Sequence, residues 1–395
     1  TMEPFLKRTW AQVDLDALDH NIREIRSAIA PSAKLMCVIK ADGYGHGAVP
    51  LAKESEAAGA DWFAVSNLEE AQELREAGIQ KPILILGFTP DSDARLLAQM
   101  EISQAVLSES HARQLSSYAQ EAGTRVRVHI AVDTGMTRIG LSAQNQTQAL
   151  EAAVAARRIA ELPGLLLEGL FTHFAVADEA EAGADYTKRQ YQSFRLVADT
   201  LKGWGISIPF CHCSNSAGIL DYPEMNFNLV RAGIILYGLE PSSKVRRPLD
   251  LRPLMELKSV VSMVKTVGPG VDVSYGRTYT TRRETKIATV PIGYADGYPR
   301  ALSNLGEMLV RGQRARIIGR GRWARAVSGP EPCWTPSAGR RRHGRPGTPM
   351  PSPPLPDLPP SSAPACRITH PSTTGPLRGG ARPGASASCP MTTRT

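Results

Sequence analysis

Between residues 34 and 234, short apolar runs alternate with stretches of helical period. KLMCVIK (34–40), WFAVSN (62–67), PILILG (82–87) and ISQAVLS (102–108) are followed by RVRVHIAVD (125–133), LLLEGLFTH (165–173), PFCHCSN (209–215) and FNLVRAGI (227–234). Amphipathic segments lie between them, among them LEEAQELREAG (68–78), HARQLSSYAQEAG (111–123) and YTKRQYQSFRLVADTLKGWG (186–205), each closing on glycine. Glycine is the residue that most readily takes the left-handed conformation ending a helix. Near-continuous apolar strands alternating with helices predict a parallel sheet covered on both faces. Eight such units predict an α/β fold, a (β/α)8 TIM-type barrel over residues 10–245, with an open doubly wound sheet as the competing arrangement.

Beyond residue 245 the period shortens to two. MELKSVVSMVKTVGPG (255–270), YGRTYTTRRETKIATVPIGYADGYPR (275–300) and MLVRGQRARIIGR (308–320) read as short strands with Gly/Pro turns. They predict a mostly-β domain over 246–320, joined by an N-terminal strand within 5–14. From residue 321 the periodicity ends, as in PMPSPPLPDLPPSSAPA (349–365).

Composition sharpens that boundary. At 395 residues with 42% hydrophobic and 21% charged side chains, the chain is not globally disordered. Its formal charge of +8 arises in residues 321–395, which hold ten arginines and no lysine against Glu331 and Asp357. The remainder is charge-balanced, which excludes long-range steering toward nucleic acid or anionic membrane. The same stretch carries 16 of the 30 prolines. An Arg/Pro-rich disordered tail is one reading. A GC-rich gene read in the wrong frame is the sharper one.

No apolar run reaches the roughly 20 residues of a membrane span, and LLLEGLF is interrupted by Glu168. The N-terminus lacks the layout of a signal peptide, so the cytoplasm is expected. Cys37, Cys211 and Cys213 lie in the body without zinc spacing or a disulfide framework. Cys211-His212-Cys213 reads as a buried strand, and no metal is expected.

Barrel chemistry sits at the C-terminal ends of the strands. The first strand ends in Lys40, followed by ADGYGHG with Tyr44; the fifth leads to Arg138 and the sixth to His173. The seventh ends in Asn215-Ser216, and the eighth in Arg231 with Gly233-Ile234 behind it. Singly these are a salt-bridged arginine, a core histidine and a helix cap. Together they suit a phosphorylated carbonyl cofactor: an amine for a Schiff base, arginines for anionic oxygen or a ring nitrogen, and small residues where backbone N–H groups reach phosphate. An aldolase-type lysine stays open on these residues alone.

VIKADGYGHG, VDTGMTRIG, FTHFA, HCSNSAG, RAGIILYG, VSYGRTY and TVPIGYADGYPR, in that order over about residues 5–320, resemble the bacterial alanine racemase family. The resemblance implies a pyridoxal 5'-phosphate enzyme that interconverts L- and D-alanine for peptidoglycan, working as a homodimer with shared active sites. It implies Lys40 and Tyr275 as the two catalytic bases, the tyrosine supplied across the dimer. Arg231 would face the pyridine nitrogen with His173 in support, and Arg138 the cofactor phenolate and the substrate. Tyr44, Ser216 and the Gly233-Ile234 backbone would cradle the phosphate beside Asn215, and Tyr294 would line the substrate's entry channel with Tyr275. Arg231 in that place argues against a decarboxylase, because a guanidinium cannot protonate the ring nitrogen by sharing.

Two departures stand out. Ala131 occupies a position where many members carry a lysine. After Arg320 the family continues with a segment whose methionine amide meets the substrate carboxylate and, later, with a tyrosine for the phosphate; here Gly321-Arg322-Trp323-Ala324 follows. A single frame change at that point accounts for both breaks. It predicts a truncated β domain with an unpaired sheet edge, a disordered tail and a cofactor-binding but catalytically impaired product; a serine or broad-spectrum racemase is a separate alternative.

Overall fold

The computed structural model describes residues 8–246, 248–320, 325–329 and 365–369. Strands form where the apolar runs stand: β2 (Lys34–Val38), β3 (Trp62–Val65), β4 (Ile83–Ile85) and β5 (Ile102–Val106), then β6 (Val126–Asp133), β7 (Leu165–Phe171), β8 (Phe210–His212) and β9 (Leu229–Ala232). All pair in parallel, in the order β9-β2-β3-β4-β5-β6-β7-β8. The end strands meet: the Arg231 N–H donates to the Ser214 carbonyl at 3.1 Å, and the Cys211 N–H to Asn228 Oδ1 at 2.9 Å. The sheet is therefore a nearly closed barrel, which settles the choice against the open doubly wound sheet.

Several helices around the barrel start on polar caps that satisfy first-turn N–H groups. Asp14 accepts from Ala17 at the head of α1 (Leu15–Ala28), and Asn67, Ser108 and Asn145 act likewise. Their apolar faces cover the outside of the barrel, where Ile22, Leu35, Phe63, Ile83 and Phe194 belong to one buried cluster. Alternate residues point inward and form a second cluster with Met36, Trp62, Leu84 and Leu229.

Eight further strands build an antiparallel sheet: β1 (Thr9–Val13), β10 (Met255–Val260), β11 (Met263–Val267), β12 (Thr285–Val290), β13 (Glu307–Val310), β14 (Gln313–Ile318), β15 (Arg325–Ser328) and β16 (Ala365–Thr369). Its order is β1-β10-β16-β13-β14-β15-β12-β11. Val290, Met308, Val310, Ile317 and Val327 fill its core.

Two short pieces beyond Arg320 join this sheet. The sheet does not end at Arg320 with an unpaired edge, because β15 pairs between β12 and β14, and β16 between β10 and β13. RAVS and ACRIT are proline-free, and their backbone N–H and C=O groups close ladders that would otherwise stay open. The rest of the segment, expected to be a disordered tail, lies outside the described residues. The fit of β15 is poor in one respect. Arg325 is fully buried, held by Ser303 Oγ at 3.0 Å, the Pro299 carbonyl at 3.2 Å and the Tyr298 ring. No carboxylate pairs with it among the described residues, and its Nε has no hydrogen-bond partner there.

Candidate active site

A cavity of about 580 Å³ opens at the C-terminal end of the barrel. Lys40, Tyr44, Arg138, His173, Asn215, Ser216, Arg231, Gly233 and Ile234 all line it. Nine predicted positions from five strand ends thus converge on one space. Tyr275 does not line it; that side chain borders a smaller cavity in the C-terminal sheet and is 57% exposed. Tyr294 is 61% exposed, on a single helical turn at 294–296.

Lys40 follows β2 by two residues and enters an uncommon backbone. Ala41, Asp42, Gly43 and Tyr44 all have φ between 51° and 59° and ψ between 38° and 51°: one turn of left-handed helix. For L-residues this costs about 1–2 kcal/mol each, so the turn needs external support. Glu70 accepts from the Ala41 N–H and the Ser66 N–H, both at 2.8 Å. Asp42 accepts from the Ala48 N–H at 2.8 Å. Tyr237, anchored by its hydroxyl to the Val38 carbonyl at 2.9 Å, packs edge-on against Tyr44. At Gly43 an added Cβ would come within 2.5 Å of Leu51. The turn carries Lys40 and Tyr44 to the same cavity, the Lys40 Nζ lying 6.0 Å from the Tyr44 ring centre.

The loops carrying Arg138 and His173 are fastened similarly. Asp133 accepts from the Gly135 and Thr137 N–H groups at 3.0 and 2.9 Å. Buried Gln190 donates to the Thr134 hydroxyl and the His173 carbonyl and accepts from the Ala175 N–H. His173 is held neutral: burial, then the charges of Arg231, Arg138 and Lys40, push its pKa down to about 3. Asn215 caps the turn at 216–221 through the Gly218 N–H at 3.0 Å. Ser216 Oγ accepts from the Gly233 N–H at 3.0 Å.

Arg231 forms the floor, only 3% exposed. Nη1 donates to His212 Nδ1 at 2.7 Å and to the His212 carbonyl at 3.1 Å. Nη2 donates to the carbonyls of Thr172 at 2.8 Å and Cys213 at 3.1 Å, with His173 Nδ1 at 3.4 Å. Every partner is neutral. Burial, with the nearby Arg138 charge, lowers the guanidinium pKa to about 10, so it is still protonated near neutrality.

Sequence reasoning missed the supports: Glu70, Gln190 and above all His212. Alternation along CHC was the available signal, since it sends His212 inward when Cys211 and Cys213 face the helices.

The family described as alanine racemase, N-terminal domain, matches residues 13–241. The family of the alanine racemase C-terminal domain matches residues 254–320 and ends there. An alanine racemase of Desulfovibrio desulfuricans is 48% identical over 319 residues, covering 81% of this chain and 84% of that protein. The solved alanine racemase of Clostridium difficile superposes with a TM-score of 0.78 at 37% identity, over 92% of this chain and 87% of that one. A histidine racemase from Leuconostoc mesenteroides superposes with a TM-score of 0.74 at 28% identity, covering 83% of this chain and 86% of that one. The chain belongs to the alanine racemase family.

Proposed function

We propose that the chain racemises alanine with pyridoxal 5'-phosphate held in the barrel cavity. The observation that carries this is the meeting of Lys40 and Arg231 in one 580 Å³ space, the arginine buried among neutral partners. The donor set fits the cofactor. Lys40 offers an amine to the aldehyde. The Arg231 bonds through Nη1 and Nη2 leave Nε as its remaining donor for a ring nitrogen. Ser216 accepts from Gly233, which leaves its own hydroxyl proton to give to phosphate, with Tyr44 and the Ile234 backbone beside it. When bound, the cofactor supplies an electron sink that acidifies the substrate Cα–H.

Racemisation needs a proton taken from one face of Cα and another delivered to the opposite face. Lys40 is the base on one face. Tyr275, which lies outside its own chain's cavity, is the other, supplied by a second copy as the family resemblance implies. The working unit is therefore a homodimer, with Tyr294 of each copy at the other's entrance. Arg138 holds the substrate carboxylate side, and neutral His173 keeps Arg231 in place. Arg231 cannot give up its proton to the ring nitrogen at neutral pH, which weakens the sink and suppresses transamination and decarboxylation. We place this activity in the cytoplasm, as a source of D-alanine for peptidoglycan.

The family match ends at 320, and this favours a second statement about rate. Residues 321–395 replace a segment that in the family meets the substrate carboxylate, so turnover is slow while cofactor binding is retained. The experiment is deuterium wash-in: each alanine enantiomer is incubated in D2O with the cofactor-loaded chain. Formation of the opposite enantiomer carrying deuterium at Cα supports the reading. Cofactor-loaded protein that exchanges neither enantiomer contradicts it.

A further inference from the structure

From Arg231 a line of polar side chains runs down through the barrel interior, one from each of five neighbouring strands. His212 Nε2 lies 2.9 Å from His129 Nδ1, and His129 Nε2 lies 3.3 Å from Glu168 Oε2. Glu168 also accepts from the Ser103 hydroxyl. Both imidazoles are fully buried. The Phe171 ring stacks on His212, and the Trp62 ring meets His129 edge-on.

Donor and acceptor roles along this line are not free. A protonated guanidinium only donates, so His212 Nδ1 is an acceptor and its proton sits on Nε2. That proton faces His129 Nδ1, which must accept in turn, leaving the His129 proton on Nε2. Only a group that accepts can stand at the far end, and Glu168 is that group. Burial and the Arg231 charge hold both histidines neutral at pH 7.

The backbone is shaped for this contact. Between β6 and β7 the register runs Val128 to Leu167 and then His129 to Gly169, so Glu168 is the extra residue of a β-bulge. Bulges re-aim a side chain, and here the bulge places a carboxylate on the imidazole. At Gly169 an added Cβ would come within 2.2 Å of His129 Nδ1, so glycine beside the bulge makes room for the ring.

We propose that Glu168 is a positioning residue: as terminal acceptor it selects the Nε2–H tautomers of His129 and His212, and through them keeps Arg231 oriented under the cavity. Its bearing on catalysis rests on the function proposed above; the tautomer selection does not. Without an acceptor at its end, no single arrangement satisfies the line: the present tautomers leave the His129 Nε2–H unpaired in the core, and the reversed ones aim an N–H of His212 at Arg231.

The test is ¹⁵N-histidine NMR on the full chain. In the parent protein, His129 and His212 should both appear as Nε2–H tautomers. Glu168→Gln, which keeps an acceptor oxygen, should preserve both tautomers and shift the His129 Nε2 proton upfield, because a neutral acceptor polarises it less. Glu168→Leu should lose the single-tautomer pattern, with kcat falling about 10- to 100-fold, as when an outer partner of a functional histidine is removed. Unchanged tautomers in Glu168→Leu would overturn the proposal. If that variant does not fold, an unshifted His129 proton in Glu168→Gln overturns it equally. Neither spectrum needs turnover, so an inactive chain would fail the racemase reading and leave this one standing.

Discussion

Arg231 Nη1 donates to His212 Nδ1 at 2.7 Å with both side chains buried, so a permanent cation rests on an imidazole that must stay neutral. That relationship decides what the floor of the cavity offers a ligand. It offers a hydrogen bond without a proton to share.

Replacing the cation should therefore change the chemistry as well as the rate. Arg231→Glu puts a carboxylate opposite the place where a ring nitrogen is expected to sit, and such a group favours a protonated ring. Racemisation should fall by at least about tenfold, as expected when a charge-assisted bond is lost, while conversion of alanine to pyruvate rises from background. The assay is pyruvate formed per racemisation event. An unchanged ratio would show that Arg231 does not control the sink.

Buried neutral histidines make the barrel acid-sensitive. In the unfolded chain each imidazole binds its proton near pH 6.5, whereas in the fold His173 is held down to about 3 and His129 and His212 are also lowered. Between those limits the unfolded state binds more protons. Stability is thus complete above about pH 6.5 and is lost as pH falls, by about 1.4 kcal/mol per pH unit for His173, with His129 and His212 adding in the same direction. Denaturant unfolding between pH 7.5 and 4.5 should show that slope; a flat profile would contradict it.

Arg325 buries a cation without a carboxylate among the described residues in the core beneath β15. Desolvation of this kind is not repaid by neutral partners, and apolar replacement of buried charge often stabilises by about 1–4 kcal/mol. Arg325→Leu should raise the unfolding midpoint and slow proteolysis near residues 325–329. A lower midpoint would mean that the bonds to Ser303 and Pro299 outweigh the desolvation.

Tyr275→Phe should separate the two faces of Cα. It removes one general base, worth about 10²- to 10⁴-fold, and leaves the Lys40 face able to exchange. Deuterium uptake without inversion is expected from one enantiomer only. Loss of cofactor binding in the same variant would instead make Tyr275 a structural residue.

Much of the barrel is legible because its strands are apolar on both faces, and its candidate site residues sit where such runs stop. Lys40, Arg138, His173, Ser216 and Arg231 were found by that rule alone, and they share the cavity. The left-handed turn at 41–44 was not legible, since three of its four residues pay a conformational cost that only Glu70, Asp42 and Tyr237 make tolerable. Glu168 looked like an interruption of an apolar run; a bulge leaves no mark on hydrophobic period. The strands at 325–328 and 365–369 were missed because composition averages over a long segment, whereas a sheet slot needs only four or five residues without proline.

The most direct measurement is borohydride reduction of the full chain after incubation with pyridoxal 5'-phosphate, followed by peptide mapping. One label per chain on Lys40, absent in Lys40→Ala, is the predicted result. A label on Lys34 or Lys53, or a chain that takes none, would contradict the central claim that the barrel cavity holds the cofactor on Lys40.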